Sequence, residues 1–305
     1  RADAQDVLVT HGAQQALDLV GRVLLEPGAR VAMEDPGYAP ARRLFTSLGA
    51  RVVGVPVDAE GLVVSALPED ARLVYVTPSH QFPLGMPLSH PRRVALLAWA
   101  ERHDAVLIED DYDSEFRFGG RPLESLQAMD RTGRVLYVGS FSKVMLPALR
   151  LGFLVAPAAL QPALRAAAHV GGWHAQWPSQ AALARFIEEG LLARHVRKMR
   201  REYALRHERL SHALSRELEP WLQPIPSSTG LHLSAWLRPS QLPFEAAVAE
   251  RARAAGVRVG RLSGLYASQR PQAGLVLGYG AIPTARVEEG LRRLRTALAA
   301  AARGR

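Results

Sequence analysis

The residues best suited to chemistry in this chain gather around Ser140-Phe141-Ser142-Lys143, with Arg150 seven residues further on. Lysine is scarce: among 38 basic residues only Lys143 and Lys198 carry an amine. An amine can lose its proton near neutral pH and attack a carbonyl carbon, which a guanidinium cannot. The two serines and Arg150 are the donors that a phosphate group takes. A solitary loop lysine is ordinarily a solvated charge. Here the preceding Arg134–Gly139 reads as a buried strand, so Lys143 stands just past its C-terminal end, where open α/β sheets bind ligands.

Other groups fall at comparable places. Thr10-His11-Gly12 turns from a short strand, Val7-Leu8-Val9, into a helix that opens at Ala13-Gln14. A glycine turn into a helix start leaves backbone N–H groups free at the positive end of the dipole, which suits a phosphate. Tyr38 follows the strand Arg30–Glu34, where its ring can stack on a flat ligand or simply pack. The loop Thr77–Gly85 holds Pro78, Pro83 and Gly85, and polar groups on so stiff a loop are well placed for recognition. The buried strand Ala105–Ile108 ends in Glu109-Asp110-Asp111-Tyr112-Asp113. Its four carboxylates are either solvated loop charges or include one turned inward to hold a cation.

The elements that must position these groups are strands alternating with helices, the pattern of a mainly parallel sheet covered on both faces. Pro178 to Leu218 reads as a long helical region broken near Gly190. Beyond it, Leu231–Leu237, Val257-Arg258-Val259 and Leu275–Tyr279 read as strands of a smaller unit. The expected organisation is a large α/β domain over residues 1–205 and a small C-terminal α+β domain over 206–305.

Composition narrows the function classes. The chain has 305 residues, no cysteine and ten scattered histidines, so thiolate and helix-borne zinc sites are not expected. The net charge of +9 is spread along amphipathic helices, and no DNA-reading motif is present. No signal peptide is expected, and no apolar run reaches membrane-spanning length. No Gly-x-Gly-x-x-Gly follows a strand, against a nicotinamide-binding protein. The first residues run almost directly into a strand, as in a piece of a longer protein.

One cofactor uses the whole constellation. Pyridoxal phosphate needs a lysine for its Schiff base and a carboxylate to keep its pyridine nitrogen protonated. It also needs a donor to its phenolate, an aromatic face and a cluster of phosphate donors.

With THGAQQALDL, EDPGY, TPSHQFPLG, EDDYDSEFR and GSFSKVMLPALRLG in this order, the chain resembles the fold-type I, pyridoxal phosphate-dependent enzymes of the class I/II aminotransferase group. Within that group it is similar to the aminotransferase-like domain of the MocR family, over about residues 5 to 300. MocR proteins are bacterial regulators with a winged-helix DNA-binding domain ahead of this module. The resemblance implies Lys143 as the Schiff-base lysine, Asp110 as the partner of the pyridine nitrogen and Tyr112 as the donor to the phenolate. Asp111 stays open as the alternative to Asp110. Tyr38 then stacks on the ring, and Ser140, Ser142 and Arg150, with the backbone of Ala13 and Gln14, hold the phosphate.

The chain departs from the family pattern at two positions. The asparagine usual before Pro-x-Gly is Phe82, which leaves Gln81 as the polar residue there. The arginine that usually clamps the substrate carboxylate is Val276, and the nearest alternatives are Arg258, Arg261 and Arg270. The resemblance further implies a cytoplasmic homodimer that binds an amine or amino acid, with no membrane contact and with DNA contacted only through an upstream domain. The expected function is therefore the effector-sensing module of a MocR-like regulator, with a free-standing aminotransferase as the alternative.

Overall fold

Short runs of Val, Leu and Ile between glycine turns form strands, and the amphipathic stretches that separate them form helices. The computed structural model describes residues 3–120, 123–173, 176–238, 245–267 and 271–303. The chain divides into two compact units. The first comprises Arg1–Gln81, Met86–Ser114 and Arg121–Arg194; the second comprises Phe82–Gly85, Glu115–Gly120 and His195–Arg305.

The first unit contains, in order, β1 (Val7–Thr10), α1 (Ala13–Leu24), β2 (Arg30–Asp35), α2 (Ala39–Ser47), β3 (Arg51–Asp58), β4 (Gly61–Leu62) and β5 (Ala71–Val76). It continues with α3 (His90–Arg102), β6 (Val106–Asp111), α4 (Leu126–Met129), β7 (Val135–Ser140), α5 (Phe141–Val144), β8 (Gly152–Val155), α6 (Gln161–Gly172) and α7 (Trp177–Glu188). The eight strands form one sheet in the order β1-β8-β7-β6-β5-β2-β3-β4. The pairs β6/β7, β5/β6, β2/β5 and β2/β3 are parallel, whereas β8 runs antiparallel to both β7 and β1, and β4 to β3.

Alternate residues of each central strand enter different cores. Met33, Tyr75, Ile108 and Val138 pack with Leu17 and Val20 of α1, Phe45 of α2 and Leu164 of α6. Ala32, Val74, Leu107 and Val135 pack with Leu96 and Trp99 of α3 and Leu126 of α4. Burial on both faces is why these strands read as unbroken apolar runs.

The antiparallel β8 positions the site. Thr10 and Ser140, the last residues of β1 and β7, both lie opposite Gly152. The starts of α1 and α5 are thereby brought to the same level across three strands. The approach is so close that a Cβ on Gly152 would stand 2.8 Å from the Gly139 carbonyl oxygen and 2.9 Å from Cα of Gly12.

The helical region after α6 breaks at Gly190, whose φ of +70° ends α7 before α8 (Leu191–Arg216) begins. The division between the two units falls inside α8, at His195. The second unit adds β9 (Leu222–Pro224), β10 (His232–Leu237), α9 (Glu245–Ala254), β11 (Gly260–Arg261), β12 (Gly274–Gly278) and α10 (Val287–Arg303). Its strands form an antiparallel sheet ordered β11-β12-β10-β9. Leu233, Ala235, Leu275 and Leu277 of that sheet pack against Leu210 and Leu214 of α8 and Leu291, Leu294 and Leu298 of α10.

Val257-Arg258-Val259 is not a strand. These residues lead out of α9, and the pairing with β12 begins only at Gly260. The β-branched alternation is there, but Arg258 is exposed and the two valines serve as packing for the helical side of the core.

Gly152→Ala is expected to destabilise the protein by roughly 1–3 kcal/mol, because its added methyl meets backbone on both sides. Urea denaturation checks this as a lowered midpoint with an unchanged slope.

Candidate functional site

The candidate site lies along the edge where β2, β5, β6 and β7 end and where α1 and α5 begin. Sheet parity selects which residues face it. Ile108 belongs to the core beneath α1 and α2, so Asp110, two residues on, turns to that same face. Ser140 and Gly152 share that parity with Val138 and Leu154. Asp111 turns the other way, where its Oδ2 accepts hydrogen bonds from the hydroxyls of Tyr137 and Ser114, both at 2.8 Å.

At one end of this edge is an anion cradle. Gly12 caps α1 with φ +82°, a conformation that favours glycine, and α1 then starts at Ala13 and Gln14, whose N–H groups have no partner within the helix. The Arg150 guanidinium packs beside Gly12, 3.4–3.5 Å from its ideal Cβ position. It donates to the His11 carbonyl at 3.0 Å. Arg150 itself is left-handed, with φ 50° and ψ 37°, at the turn into β8. Ser140 caps α5, its Oγ accepting from the Ser142 N–H at 3.2 Å. Lys143 follows on α5, exposed, and makes no hydrogen bond or ion pair among the described residues.

At the other end is Asp110. Its Oδ2 accepts a hydrogen bond from the Tyr75 hydroxyl at 2.6 Å, while its Oδ1 is buried without a hydrogen-bond partner. Burial pushes the Asp110 carboxyl up to about 7, against the pull of the Tyr75 hydrogen bond, with Asp111 and Asp113 adding to the rise. Tyr38, at the start of α2, packs beside α1 and lies in the field of both Asp110 and Arg150. It therefore links the two ends of the site.

Tyr112 is held differently. Its hydroxyl donates to the His80 carbonyl at 2.9 Å and lies 3.1 Å from His80 Nδ1. That nitrogen is also 3.1 Å from both oxygens of the buried Asp113. Gln81 is buried with its amide nitrogen on the Pro36 carbonyl at 2.8 Å and near Glu34 Oε2 at 3.4 Å. Its side chain therefore braces the turn after β2. The same Glu34 oxygen accepts from the Thr77 hydroxyl at 2.6 Å and the Thr77 N–H at 3.2 Å. Burial raises Glu34 to about 7 as well.

The carboxylate run is thus no solvated loop. Glu109, Asp110 and Asp113 are buried, and the first two lie within β6. Glu109 caps α4 by accepting from the N–H groups of Leu126 and Gln127 and faces the buried Arg93 at 3.7 Å. Sequence reading missed Tyr75, Glu34, Thr77, His80 and Asp113. A tyrosine or glutamate inside an apolar strand run was the available signal.

In the second unit, Val276 is half-buried on β12, paired with Ser234 and Gly260. Arg258 and Arg261 are exposed, and Arg270 lies outside the described residues. Phe82 stacks edge-on to His232 at 5.3 Å, and the Pro83 carbonyl accepts from Ser234 Oγ at 2.7 Å.

These features suit a planar ligand with a cationic ring nitrogen at one end and a phosphate at the other. The unpartnered Asp110 oxygen would accept from the nitrogen, and the Gly12–Arg150 cradle would take the phosphate. Without such a cation, Asp110 is costly when ionised. Its folded pKa is raised, so this cost is absent below the ordinary carboxylate range, grows as pH rises from there, and is complete above about 7. Asp110→Asn in the ligand-free protein is therefore expected to be nearly neutral at about pH 4 and stabilising by about 1–4 kcal/mol at pH 8.5, read by chemical denaturation at both pH values.

Comparison with known proteins agrees with this geometry. The family model for aminotransferase class I and II matches residues 1–297. The "Probable rhizopine catabolism regulatory protein MocR" of Rhizobium meliloti is 39% identical over 297 residues, which cover 97% of this chain and 60% of that protein. The uncharacterized HTH-type transcriptional regulator YhdI of Bacillus subtilis strain 168 is 37% identical over 279 residues, covering 90% of this chain and 58% of that protein. The chain thus spans about three-fifths of the length of these regulators. Among solved structures, LysN, the alpha-aminoadipate aminotransferase of Thermus thermophilus complexed with N-(5'-phosphopyridoxyl)-L-leucine, superposes with a TM-score of 0.88 at 32% identity. That match covers 97% of this chain and 78% of that one. The fold is that of the fold-type I aminotransferases, and the chain belongs to the class I and II aminotransferase family.

Proposed function

We propose that this chain is a pyridoxal phosphate-binding module that senses an amine or amino acid, acting as the effector domain of a MocR-like transcriptional regulator. The observation that carries the proposal is the buried, unpartnered Asp110 Oδ1 on the same sheet face as the Gly12–Arg150 cradle and the start of the helix bearing Lys143. Bound pyridoxal phosphate supplies a carbonyl carbon for amines and a protonated ring that accepts electron density.

The chain's own residues would share the work. Lys143 is the amine that would hold the cofactor covalently, and its exposure leaves it accessible to an incoming amine. Asp110 would keep the ring nitrogen protonated, and parity favours it over Asp111. Arg150, Ser140, Ser142 and the N–H groups of Ala13 and Gln14 would hold the phosphate, and Tyr38 would lie along the ring. Tyr112 would orient the phenolate side once its hydroxyl turns from the His80 carbonyl. Gln81 would act through Glu34 and Pro36, holding the turn that carries Tyr38.

The regulator reading draws on the regulatory relatives and on Val276. Valine cannot supply the two charge-assisted bonds by which an arginine grips a carboxylate. The reading places a homodimer in the cytoplasm, with DNA contacted only by a separate upstream domain. No helix among the described residues is long and apolar enough to cross a membrane. A free-standing aminotransferase is the second reading, favoured by the likeness to LysN.

Borohydride reduction of the protein after incubation with pyridoxal phosphate, followed by peptide mapping, is expected to place the pyridoxyl group on Lys143. A label on Lys198, or none, rules out the assignment.

Common α-amino acids are expected to perturb the bound chromophore weakly, and turnover with 2-oxoglutarate to be slow or absent. Loss of a bidentate carboxylate contact costs roughly 2–5 kcal/mol, a factor of about 30 to several thousand in binding. Spectral titration with a panel of amines and amino acids, then steady-state assays with several keto acids, decides between the readings. Fast turnover of an ordinary α-amino acid selects the aminotransferase.

A further inference from the structure

Tyr75 belongs to β5, not to any of the loops that build the site. It is 1% exposed, and its ring meets Phe45 edge-on at 6.4 Å. A core tyrosine must satisfy its hydroxyl. Here the acceptor is Asp110 Oδ2, at 2.6 Å across the β5/β6 pair. This short, charge-assisted bond leaves Asp110 with one oxygen engaged and one, Oδ1, buried and unpartnered.

We propose that Tyr75 is a positioning residue for the cofactor: its hydroxyl locks the Asp110 carboxylate with Oδ1 presented to the ring nitrogen and holds the shared proton on that nitrogen. The inference rests on the pyridoxal phosphate reading above. Two physical effects support it. Rotation of the carboxylate would break the Tyr75 bond and bury a second orphaned oxygen, so the orientation is set before any ligand arrives. A donor to a carboxylate also stabilises the anion and weakens its hold on a proton.

The second effect acts against strong opposition. Burial raises the proton affinity of Asp110, as do Asp111 and Asp113 from its own segment. Glu34 from β2 shares this field, as does Tyr38 from the start of α2, while Arg150 reaches Tyr38 from the cradle side. Among the groups that Asp110 responds to, the Tyr75 hydroxyl is the one that favours its ionised form. Without Tyr75, the proton shared with a ring nitrogen would shift toward oxygen, and the ring would lose electron-accepting power.

The test uses Tyr75→Phe, which keeps the ring volume and the contact with Phe45. The Asp110 carboxyl carbon is titrated by 13C NMR in cofactor-free protein, assigned with Asp110→Asn. The ring nitrogen is observed by 15N NMR with 15N-labelled pyridoxal phosphate bound. The expected result is a folded variant in which the proton affinity of Asp110 rises about tenfold and the 15N resonance moves toward that of unprotonated pyridine. Both signals unchanged in a folded variant would overturn the role of Tyr75 and leave the cofactor reading standing. A wild-type protein that takes up no labelled cofactor overturns the cofactor reading, and the role of Tyr75 with it. If Tyr75→Phe does not fold, 3-fluorotyrosine at position 75 serves in its place. Its stronger donor is expected to move both signals the opposite way, and no movement overturns the proposal.

Discussion

Ionised carboxylates are expensive to bury, and this protein buries four of them, Glu34, Glu109, Asp110 and Asp113, at or just past the ends of its parallel strands β2 and β6. Each is accommodated differently. Glu109 receives two backbone N–H bonds from the start of α4 and faces Arg93, which also donates to the carbonyls of Leu88, Glu124 and Pro78. Glu34 receives Thr77 and Gln81, and so ties the end of β2 to the loop after β5. Both are structural pins whose hydrogen bonds close locally. Asp113 has both oxygens on His80 Nδ1, and Asp110 alone among the four keeps a buried oxygen without a hydrogen-bond partner.

The pins explain why the site residues can be loops and helix starts without being loose. Arg93 and Glu109 bind the segment after Pro78 and the start of α4 to the α3 side of the sheet. Glu34, Gln81 and Pro36 fix the turn from which Tyr38 projects. The rigid framework is made of bonds invisible in any single segment, because most join residues from 15 to 47 positions apart.

That is also the boundary of what the sequence reveals. The Ser140–Lys143 motif, the glycine turn at Gly12 and the carboxylate run are local and legible, and so are the alternating strands and the break at Gly190. The Asp110/Asp111 ambiguity was not resolvable from the motif, because it depends on which core Ile108 enters. Tyr75 and Thr77 looked like ordinary members of an apolar strand and its exit. Their partners, Asp110 and Glu34, are 35 and 43 residues away. Likewise the bond from the Gln81 amide to the Pro36 carbonyl, 45 residues away, is not visible in the segment before Phe82. The valines at 257 and 259 show the converse error, in which local alternation suggested a strand that tertiary packing used otherwise.

The reversed direction of β8 carries one more implication. Because β8 is antiparallel to both neighbours, the anion cradle is assembled from two strand exits, at Thr10 and Ser140, and one strand entry, at Arg150. Gly12 and Gly152 touch although 140 residues separate them. Contacts of such long sequence separation are slow to form, because the entropy of closing the chain is lost before they reward it. A nascent chain that has completed β7 would have every parallel strand in place and still lack the cradle. Uptake of a phosphate-bearing ligand would then mark the moment the sheet closes, and the ligand would act on folding as a latch on the last strand to arrive.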